Sequence, residues 1–255
     1  MKPLESELRR VRDEGRKALV PYLVAGLTPD WVLHVEAAVH AGADAVEIGV
    51  PFSDPMMDGV VIQEGAMRAL RAGTTLDSLC HDLAQLSASV PLIAMTYYNI
   101  VHHYGLARAC GTLIASGVSG AIVPDLSIEE SGPWREACDQ SGVATIFLVA
   151  PSTPPERVAR VASASEGFVY AQARMAVTGQ AADIGDAQRV VASVRAVCDI
   201  PTYVGIGITT PEQARDAARE SDGVIVGSAL VRLILDGADA SDVESFVASL
   251  RRAID

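Results

Sequence analysis

The sequence predicts an α/β protein, a closed (β/α)8 TIM barrel with an extra helix before its first strand. Short segments rich in Val, Ile and Ala alternate along the chain with longer segments of helical periodicity. The short segments are apolar throughout, as expected of strands that are covered by helices. Eight such units fit the 255 residues of the chain, which is a usual length for this barrel.

The predicted strands recur at intervals of roughly 25–35 residues, as βα units do. In order they are Ala18–Ala25, Asp44–Gly49, Leu92–Tyr97, Gly120–Pro124, Ala144–Ala150, Gly167–Ala171, Thr202–Gly205 and Gly223–Val226. The predicted helices are Asp30–Ala41, Ile62–Ala72, Leu76–Leu86, Gly105–Ser116, Glu129–Gln140, Pro155–Ala164, Asp186–Val197, Pro211–Ala218 and a last stretch from Ala229 towards Ala253, interrupted near Asp236–Ala240. Gly42, Gly117 and Gly142 precede strands and resemble helix C-caps.

An open doubly wound sheet is the alternative to the barrel. Against it, no predicted strand leads through a G-x-G-x-x-G turn into a helix. No linker or change of composition divides the chain, so residues 1–255 are expected to form one domain. In a barrel of this kind, functional residues lie at the carboxyl ends of the strands and in the loops that follow them.

Composition and charge disfavour several classes of protein. The net charge of −12, from 32 acidic and 20 basic residues, disfavours binding to nucleic acid or to an anionic membrane. The charged start of the chain, Met1–Lys17, lacks the apolar region of a secretion signal, and no later stretch is long and apolar enough to predict a membrane span. The four widely spaced cysteines predict neither a zinc site nor a disulfide framework. We therefore expect a cytoplasmic protein.

Glu47 is the first candidate catalytic residue, because it interrupts an otherwise apolar strand. Alternation from Ala45 directs its side chain into the barrel near the carboxyl end of the strand. A carboxyl group buried there is either an acid–base catalyst with a shifted pKa or part of an internal salt bridge. Asp54 and Asp58 lie on the next loop, where an acid is commonly a turn or cap residue but here is a candidate partner for Glu47.

Glycine-rich turns after the last two strands predict a phosphate site. Gly207 follows strand seven, and Gly227 and Ser228 lead directly from strand eight into a helix. Backbone can approach a ligand closely at glycine, and N–H groups at a helix start favour an anion. This pair of loops is the recurrent phosphate site of the barrel, although each loop alone would pass for an ordinary βα turn.

The long loop of small residues after strand six has two interpretations. It is either a lid that closes over substrate or a surface loop. Within it, Thr178 and Gly179 are candidates for a third phosphate contact.

Other chemistries are disfavoured by what the chain lacks. Its two lysines, Lys2 and Lys17, precede strand one, which argues against a Schiff-base aldolase. The five histidines form no H-x-H or H-E-x-x-H pair, so no metal is expected. Acid–base chemistry on a phosphorylated small molecule remains.

Six segments closely resemble the tryptophan synthase alpha subunit family, in the same order along nearly the whole chain. They are Pro21–Gly26, Glu47–Gly59, Met95–Asn99, Val123–Leu126, Phe147–Pro151 and Gly223–Leu230. The run Pro-Phe-Ser-Asp-Pro-x-x-Asp-Gly after a strand glutamate is highly specific to that family. The resemblance implies a TIM-barrel lyase of L-tryptophan biosynthesis. It would cleave indole-3-glycerol phosphate to indole and glyceraldehyde 3-phosphate by a retro-aldol reaction, with no metal or organic cofactor.

The same resemblance implies roles for individual residues. Glu47 matches the catalytic glutamate, which protonates indole C3 and removes the proton of the neighbouring glycerol hydroxyl. Asp58 matches the catalytic aspartate, which accepts the indole N–H. Tyr170 matches an active-site tyrosine beside the substrate. The phosphate contacts match Gly179, Gly207, Gly227 and Ser228.

A partner is implied as well. Family members pair with a beta subunit that carries pyridoxal phosphate, as an α2β2 hetero-tetramer, and pass indole to it internally. Pro51 and Asp54 are the residues expected at that interface.

The chain departs from the family pattern at Leu27–Pro29, at Ile100 and at Ala176 in the strand-six loop. Two alternatives therefore stand beside the main prediction, a stand-alone indole-releasing lyase and a catalytically silent partner that activates a beta subunit. A third, another phosphosugar barrel enzyme, lacks support from the Pro51–Gly59 segment.

Overall fold

Nine parallel strands form one barrel in the computed structural model, which describes residues 1–172, 184–205 and 207–255. They are β1 (Ala18–Val24), β2 (Val46–Gly49), β3 (Leu92–Met95), β4 (Val118–Ile122), β5 (Ala144–Ile146), β6 (Leu148–Val149), β7 (Val169–Gln172), β8 (Thr202–Gly205) and β9 (Gly223–Val226). The hydrogen-bonded order is β5-β4-β3-β2-β1-β9-β8-β7-β6. The predicted (β/α)8 fold is confirmed.

The ninth strand arises because the predicted strand Ala144–Ala150 is divided at Phe147. Its first half, β5, pairs with β4, and its second half, β6, pairs with β7. The two ends of the sheet therefore belong to one short segment of chain, and the barrel closes across it.

The described residues also form twelve helices around and below the barrel. They are α1 (Pro3–Asp13), α2 (Trp31–His40), α3 (Val60–Arg71), α4 (Leu76–Leu83), α5 (Tyr98–Tyr104), α6 (Leu106–Ala115), α7 (Gly132–Ser141), α8 (Pro155–Ala164), α9 (Ile184–Arg195), α10 (Pro211–Glu220), α11 (Ser228–Leu235) and α12 (Ala240–Ile254). The predicted interruption near Asp236–Ala240 separates α11 from α12, where the Asp239 carboxylate accepts hydrogen bonds from the Ser241 and Asp242 amides.

One helix, α5, is absent from the sequence-based prediction. It begins shortly after the third strand, and the side chain of its N-cap residue, Tyr97, makes no capping hydrogen bond. Instead the Asp125 carboxylate accepts a hydrogen bond from the Tyr98 amide at 2.9 Å. Because this cap lies 27 residues further along the chain, the local pattern carries no sign of it.

The two ends of the barrel are filled differently. At the amino end, α1 places Leu4, Leu8 and Val11 against the interior, and each of these side chains is at most 1% exposed. Inward side chains such as Val20 of β1, and Phe168 just before β7, complete this apolar layer. The polar inward residues Tyr22, Glu47 and Tyr170 lie at the other end, where the strands finish. No helix in the described part of the chain is long and apolar enough to cross a membrane.

Candidate active site

A pocket at the carboxyl ends of the strands brings most of the predicted site residues together. Its lining includes six of them, which are Glu47, Asp58, Tyr170, Gly207, Gly227 and Ser228. Thr178 and Gly179 lie outside the described residues. Pro51 is buried and Asp54 is exposed on the loop that carries Asp58. These six candidate catalytic and substrate-binding residues therefore line one cavity, although they come from four separate parts of the chain.

Glu47 is held on β2 with its side chain inside the barrel and is 1% exposed. Its Oε2 atom has no hydrogen-bond partner among the described residues, and no ion pair of Glu47 is found there either. Loss of hydration, together with the nearby charge of Asp58, raises the pKa of Glu47 to about 8. At neutral pH the carboxyl group is therefore protonated and can give up a proton. The internal salt bridge that was the alternative for Glu47 is not found in the described structure.

Asp58 lies at the end of the loop after β2 and is 7% exposed. Burial raises the pKa of Asp58 to about 6, although the hydrogen bond from Tyr97 acts in the opposite direction. The backbone carbonyl of Asp58 also accepts a hydrogen bond of 2.8 Å from Gln63 on α3, which holds the end of the loop. Asp58 is therefore an anion at neutral pH, while Glu47 in the same pocket is a neutral acid.

Tyr97 connects the Asp58 loop to the end of β3. Its hydroxyl accepts a hydrogen bond of 3.1 Å from the Met57 amide and lies close enough to the Asp58 carboxylate to lower the pKa of that group. Its ring stacks on Phe52 of the same loop, with ring centroids 5.0 Å apart. These contacts hold the Asp58 loop against the end of β3. The sequence predicts Tyr97 only as the last residue of a strand.

The phosphate-site candidates line the same pocket, at the ends of β8 and β9. Gly207 has a φ of +70°, a backbone conformation that residues other than glycine rarely adopt. Gly227 is the N-cap residue of α11, whose first residue is Ser228. The N–H groups at the start of this helix therefore lie at the pocket end of the barrel. The arrangement suits an anionic group because these N–H groups and the helix dipole are both favourable to negative charge.

Two tyrosines complete the walls of the pocket, each lying over a glycine of the neighbouring strand. The Tyr170 hydroxyl occupies the space that a Cβ at Gly205 would fill, and the Tyr22 hydroxyl does the same at Gly49. Burial and the charges of Glu47 and Asp58 raise the pKa of both phenols well above the usual value. Both hydroxyls are therefore permanent neutral donors. The sequence alone assigns no functional role to Tyr22.

Comparison with known proteins identifies the family of this chain. The model of the family described as tryptophan synthase alpha chain matches residues 8–253. The chain belongs to the tryptophan synthase alpha chain family. The family predicted from the sequence is thereby confirmed, and with it a lyase of tryptophan biosynthesis.

Relatives and solved structures of the family match over nearly the whole chain. The tryptophan synthase alpha chain of Thermobifida fusca is 42% identical, with 100% of this chain and 98% of that one covered. That of Streptomyces avermitilis is also 42% identical, covering 92% of this chain and 87% of that one. A Mycobacterium tuberculosis tryptophan synthase structure superposes with a TM-score of 0.92 at 38% identity, covering 99% and 98% of the two chains. The tryptophan synthase alpha subunit of Legionella pneumophila gives a TM-score of 0.90 at 30% identity, covering 100% and 99%.

Proposed function

We propose that this member of the family cleaves indole-3-glycerol phosphate to indole and glyceraldehyde 3-phosphate, with Glu47 and Asp58 as its catalytic residues. One observation carries the proposal. Two buried carboxyl groups line one pocket, and their surroundings move the pKa of Glu47 to about 8 and that of Asp58 to about 6. At pH 7 the site therefore holds one acid and one carboxylate, which is the pair that the reaction needs.

Glu47 supplies the proton transfers. As a neutral acid it donates its proton to C3 of the indole ring, which leaves positive charge on the ring and a carboxylate at Glu47. That carboxylate then removes the proton from the hydroxyl on the carbon attached to C3. The carbon–carbon bond breaks as the aldehyde forms, and its electron pair returns to the ring. Glu47 ends the cycle protonated, so no proton is gained or lost overall.

Asp58 stabilises the charge that develops on the ring. Its carboxylate accepts the hydrogen bond of the indole N–H, which becomes more acidic once C3 is protonated. Since Tyr97 and the helix α3 residue Gln63 hold the end of this loop, little reorganisation is required when the charge appears.

The substrate phosphate binds at the ends of β8 and β9. Gly207, Gly227 and Ser228 supply backbone N–H groups there, and Thr178 and Gly179 are further proposed contacts outside the described residues. Tyr170 lines the same pocket and packs beside the substrate. An acidic protein can bind a phosphorylated substrate in this way without a basic patch.

A beta subunit is the proposed partner, docked at the loop that carries Pro51, Asp54 and Asp58. This loop and the start of α3 expose two apolar side chains, Met56 and Val60, which are 70% and 67% exposed. Exposed apolar side chains of this size are typical of a surface that another protein covers. Because Asp58 ends the same loop, a partner bound there would also influence the catalytic carboxylate. We propose an α2β2 hetero-tetramer on this basis.

The test is the rate of indole release by Glu47→Gln and Asp58→Asn. We expect kcat to fall by about 10²–10⁴-fold for Glu47→Gln, since the variant cannot transfer a proton. We expect a loss of about 10²–10³-fold for Asp58→Asn, which removes one preorganised group. Glu64→Gln, an exposed glutamate of α3 paired with Arg232, is the matched control and should leave kcat unchanged.

The same assay separates the alternatives. Equal background rates in the parent and in Glu47→Gln would contradict the proposal and favour a silent partner of a beta subunit. Titration with purified beta subunit should raise the rate of the parent. No change at saturation would favour a stand-alone lyase.

A further inference from the structure

The Tyr22 side chain runs from the phosphate end of the pocket to the catalytic glutamate. On the strands, the Cα atoms of Tyr22 and Glu47 are register partners of β1 and β2, and both side chains point inward. At one end of the tyrosine, a Cβ built on Gly227 would lie 3.3–3.5 Å from Cδ1, Cβ and Cγ of Tyr22. At the other end, the hydroxyl fills the space beside Gly49, two residues beyond Glu47. The side chain is therefore aligned with the path between the proposed phosphate site and the proposed acid.

The position of the hydroxyl depends on a glycine. A methyl group at residue 49 would collide with the Tyr22 hydroxyl, so only glycine leaves room for it at the end of β2. Tyr170 repeats the arrangement at Gly205 on β8. Two hydroxyl donors, one on β1 and one on β7, thus line the pocket that holds Glu47.

The substrate has a matching requirement. Its glycerol chain carries two hydroxyl groups between the ring and the phosphate, and the proposed mechanism uses one of them as the proton donor to Glu47. The second hydroxyl lies one carbon closer to the phosphate. A buried hydroxyl without a partner is costly, so a donor or acceptor is required beside it.

We propose that Tyr22 is a further substrate-binding residue, whose phenol O–H donates a hydrogen bond to this second hydroxyl. The bond would set the rotation of the glycerol chain and so place the first hydroxyl at Glu47. Burial keeps the phenol protonated, because it raises the pKa of Tyr22 well above the usual value. The inference rests on the proposed function, since it needs indole-3-glycerol phosphate in the pocket.

The test compares two substrates and two enzymes. Parent and Tyr22→Phe are assayed for cleavage of indole-3-glycerol phosphate and of its analogue lacking the second hydroxyl. We expect Tyr22→Phe to lower kcat/KM on the full substrate by about 3–30-fold, the range of one hydrogen bond to an otherwise unpaired group. On the deoxy analogue the two enzymes should agree within about twofold, because the group that Tyr22 recognises is missing.

Two further variants make the result decisive. Tyr203→Phe removes a hydroxyl from the apolar amino end of the barrel and is expected to be indistinguishable from the parent on both substrates. Gly49→Ala displaces the Tyr22 hydroxyl without removing it and should reproduce the selective loss, which also provides the answer if Tyr22→Phe folds poorly.

Two results would overturn the inference. One is an unchanged kcat/KM of Tyr22→Phe and Gly49→Ala on the full substrate. The other is an equal loss on both substrates, which would mean that the ring only packs. In either case Glu47→Gln in the same assay separates the two claims. If Glu47→Gln is inactive, the proposed function stands and only the role of Tyr22 is lost. If Glu47→Gln is fully active, both are lost.

Discussion

Asp44 and Glu47 are buried carboxyl groups three residues apart, yet they have opposite surroundings. Asp44, at the amino end of the barrel, is 6% exposed, and both of its oxygens are occupied. One accepts hydrogen bonds from the Leu19 amide at 2.9 Å and Arg251 at 2.8 Å, and the other pairs with Arg16 at 3.0 Å. Glu47, at the carboxyl end, is 1% exposed, and its Oε2 has no partner among the described residues.

The difference separates a carboxylate that stabilises the fold from the carboxyl group proposed as the catalytic acid. A charge taken out of water is tolerated when hydrogen bonds and opposite charges replace the water, as they do for Asp44. At Glu47 no described residue replaces the water around Oε2, so the group stays protonated and its burial remains a cost to the fold. Such a cost is common where a protein needs a group in an unfavourable state for its chemistry.

The largest expected effect is a loss of folding stability when Asp44, at the amino end of the barrel, is replaced. Asp44→Ala leaves the buried Arg251 guanidinium without its inner carboxylate and the Leu19 amide without an acceptor. We expect the free energy of unfolding to fall by about 3–5 kcal/mol, as for other broken buried pairs. We also expect kcat per folded molecule to stay within about threefold of the parent. Urea denaturation and indole release measure the two quantities.

Asp13→Ala is the matched control for this experiment. It removes an exposed carboxylate that pairs with Arg12, and pairs of this kind contribute less than about 1 kcal/mol. If Asp44→Ala were as mild as this control, or if it reduced kcat strongly, the contrast between the two carboxyl groups would be wrong.

The sequence predicts the barrel well because its strands are buried on both faces. Continuous apolar segments such as Gly223–Val226 stand out from amphipathic helices by composition alone. What it cannot predict depends on distant residues. α5 is capped by Asp125, and the fifth strand is divided because its halves pair with β4 and β7.

The same distinction holds within the pocket. Alternation along one strand suffices to direct Glu47 inward, so its place was predictable. The contacts of Tyr97 were not predictable, because they depend on the Phe52–Asp58 loop folding back over the end of β3. From the sequence, Tyr22 is one more residue of an apolar strand. Its place in the pocket depends on Gly49 of the neighbouring strand, which leaves room for its hydroxyl.

The cost of burying Glu47 predicts a pH-dependent gain in stability for Glu47→Gln. The pKa of Glu47 is 4.5 for the free side chain and about 8 in the fold. Between these pH values the folded parent keeps a proton that the unfolded chain releases. The free energy of unfolding of the parent therefore falls as pH rises through this interval. Glutamine has no proton to lose. The variant should match the parent near pH 4 and exceed it by about 2–4 kcal/mol above pH 8.

Thermal or urea unfolding at pH 5 and pH 9 measures this gain. Glu64→Gln, whose carboxyl group is exposed, should show no such growth with pH. Equal stability of parent and Glu47→Gln at pH 9 would mean that Glu47 finds a partner in solution, which would remove the contrast with Asp44.

The smallest expected effect is a shift in the pH dependence of the reaction. For the parent, kcat/KM should rise as Asp58 loses its proton near pH 6 and fall as Glu47 loses its proton near pH 8. Asp58→Asn should abolish the acidic limb. It should also move the basic limb to lower pH by less than about one unit, because the Asp58 charge is one of the two causes that raise the pKa of Glu47. An acidic limb that survives in Asp58→Asn would assign that titration to another group, and a basic limb that does not move would mean that desolvation alone holds the proton on Glu47.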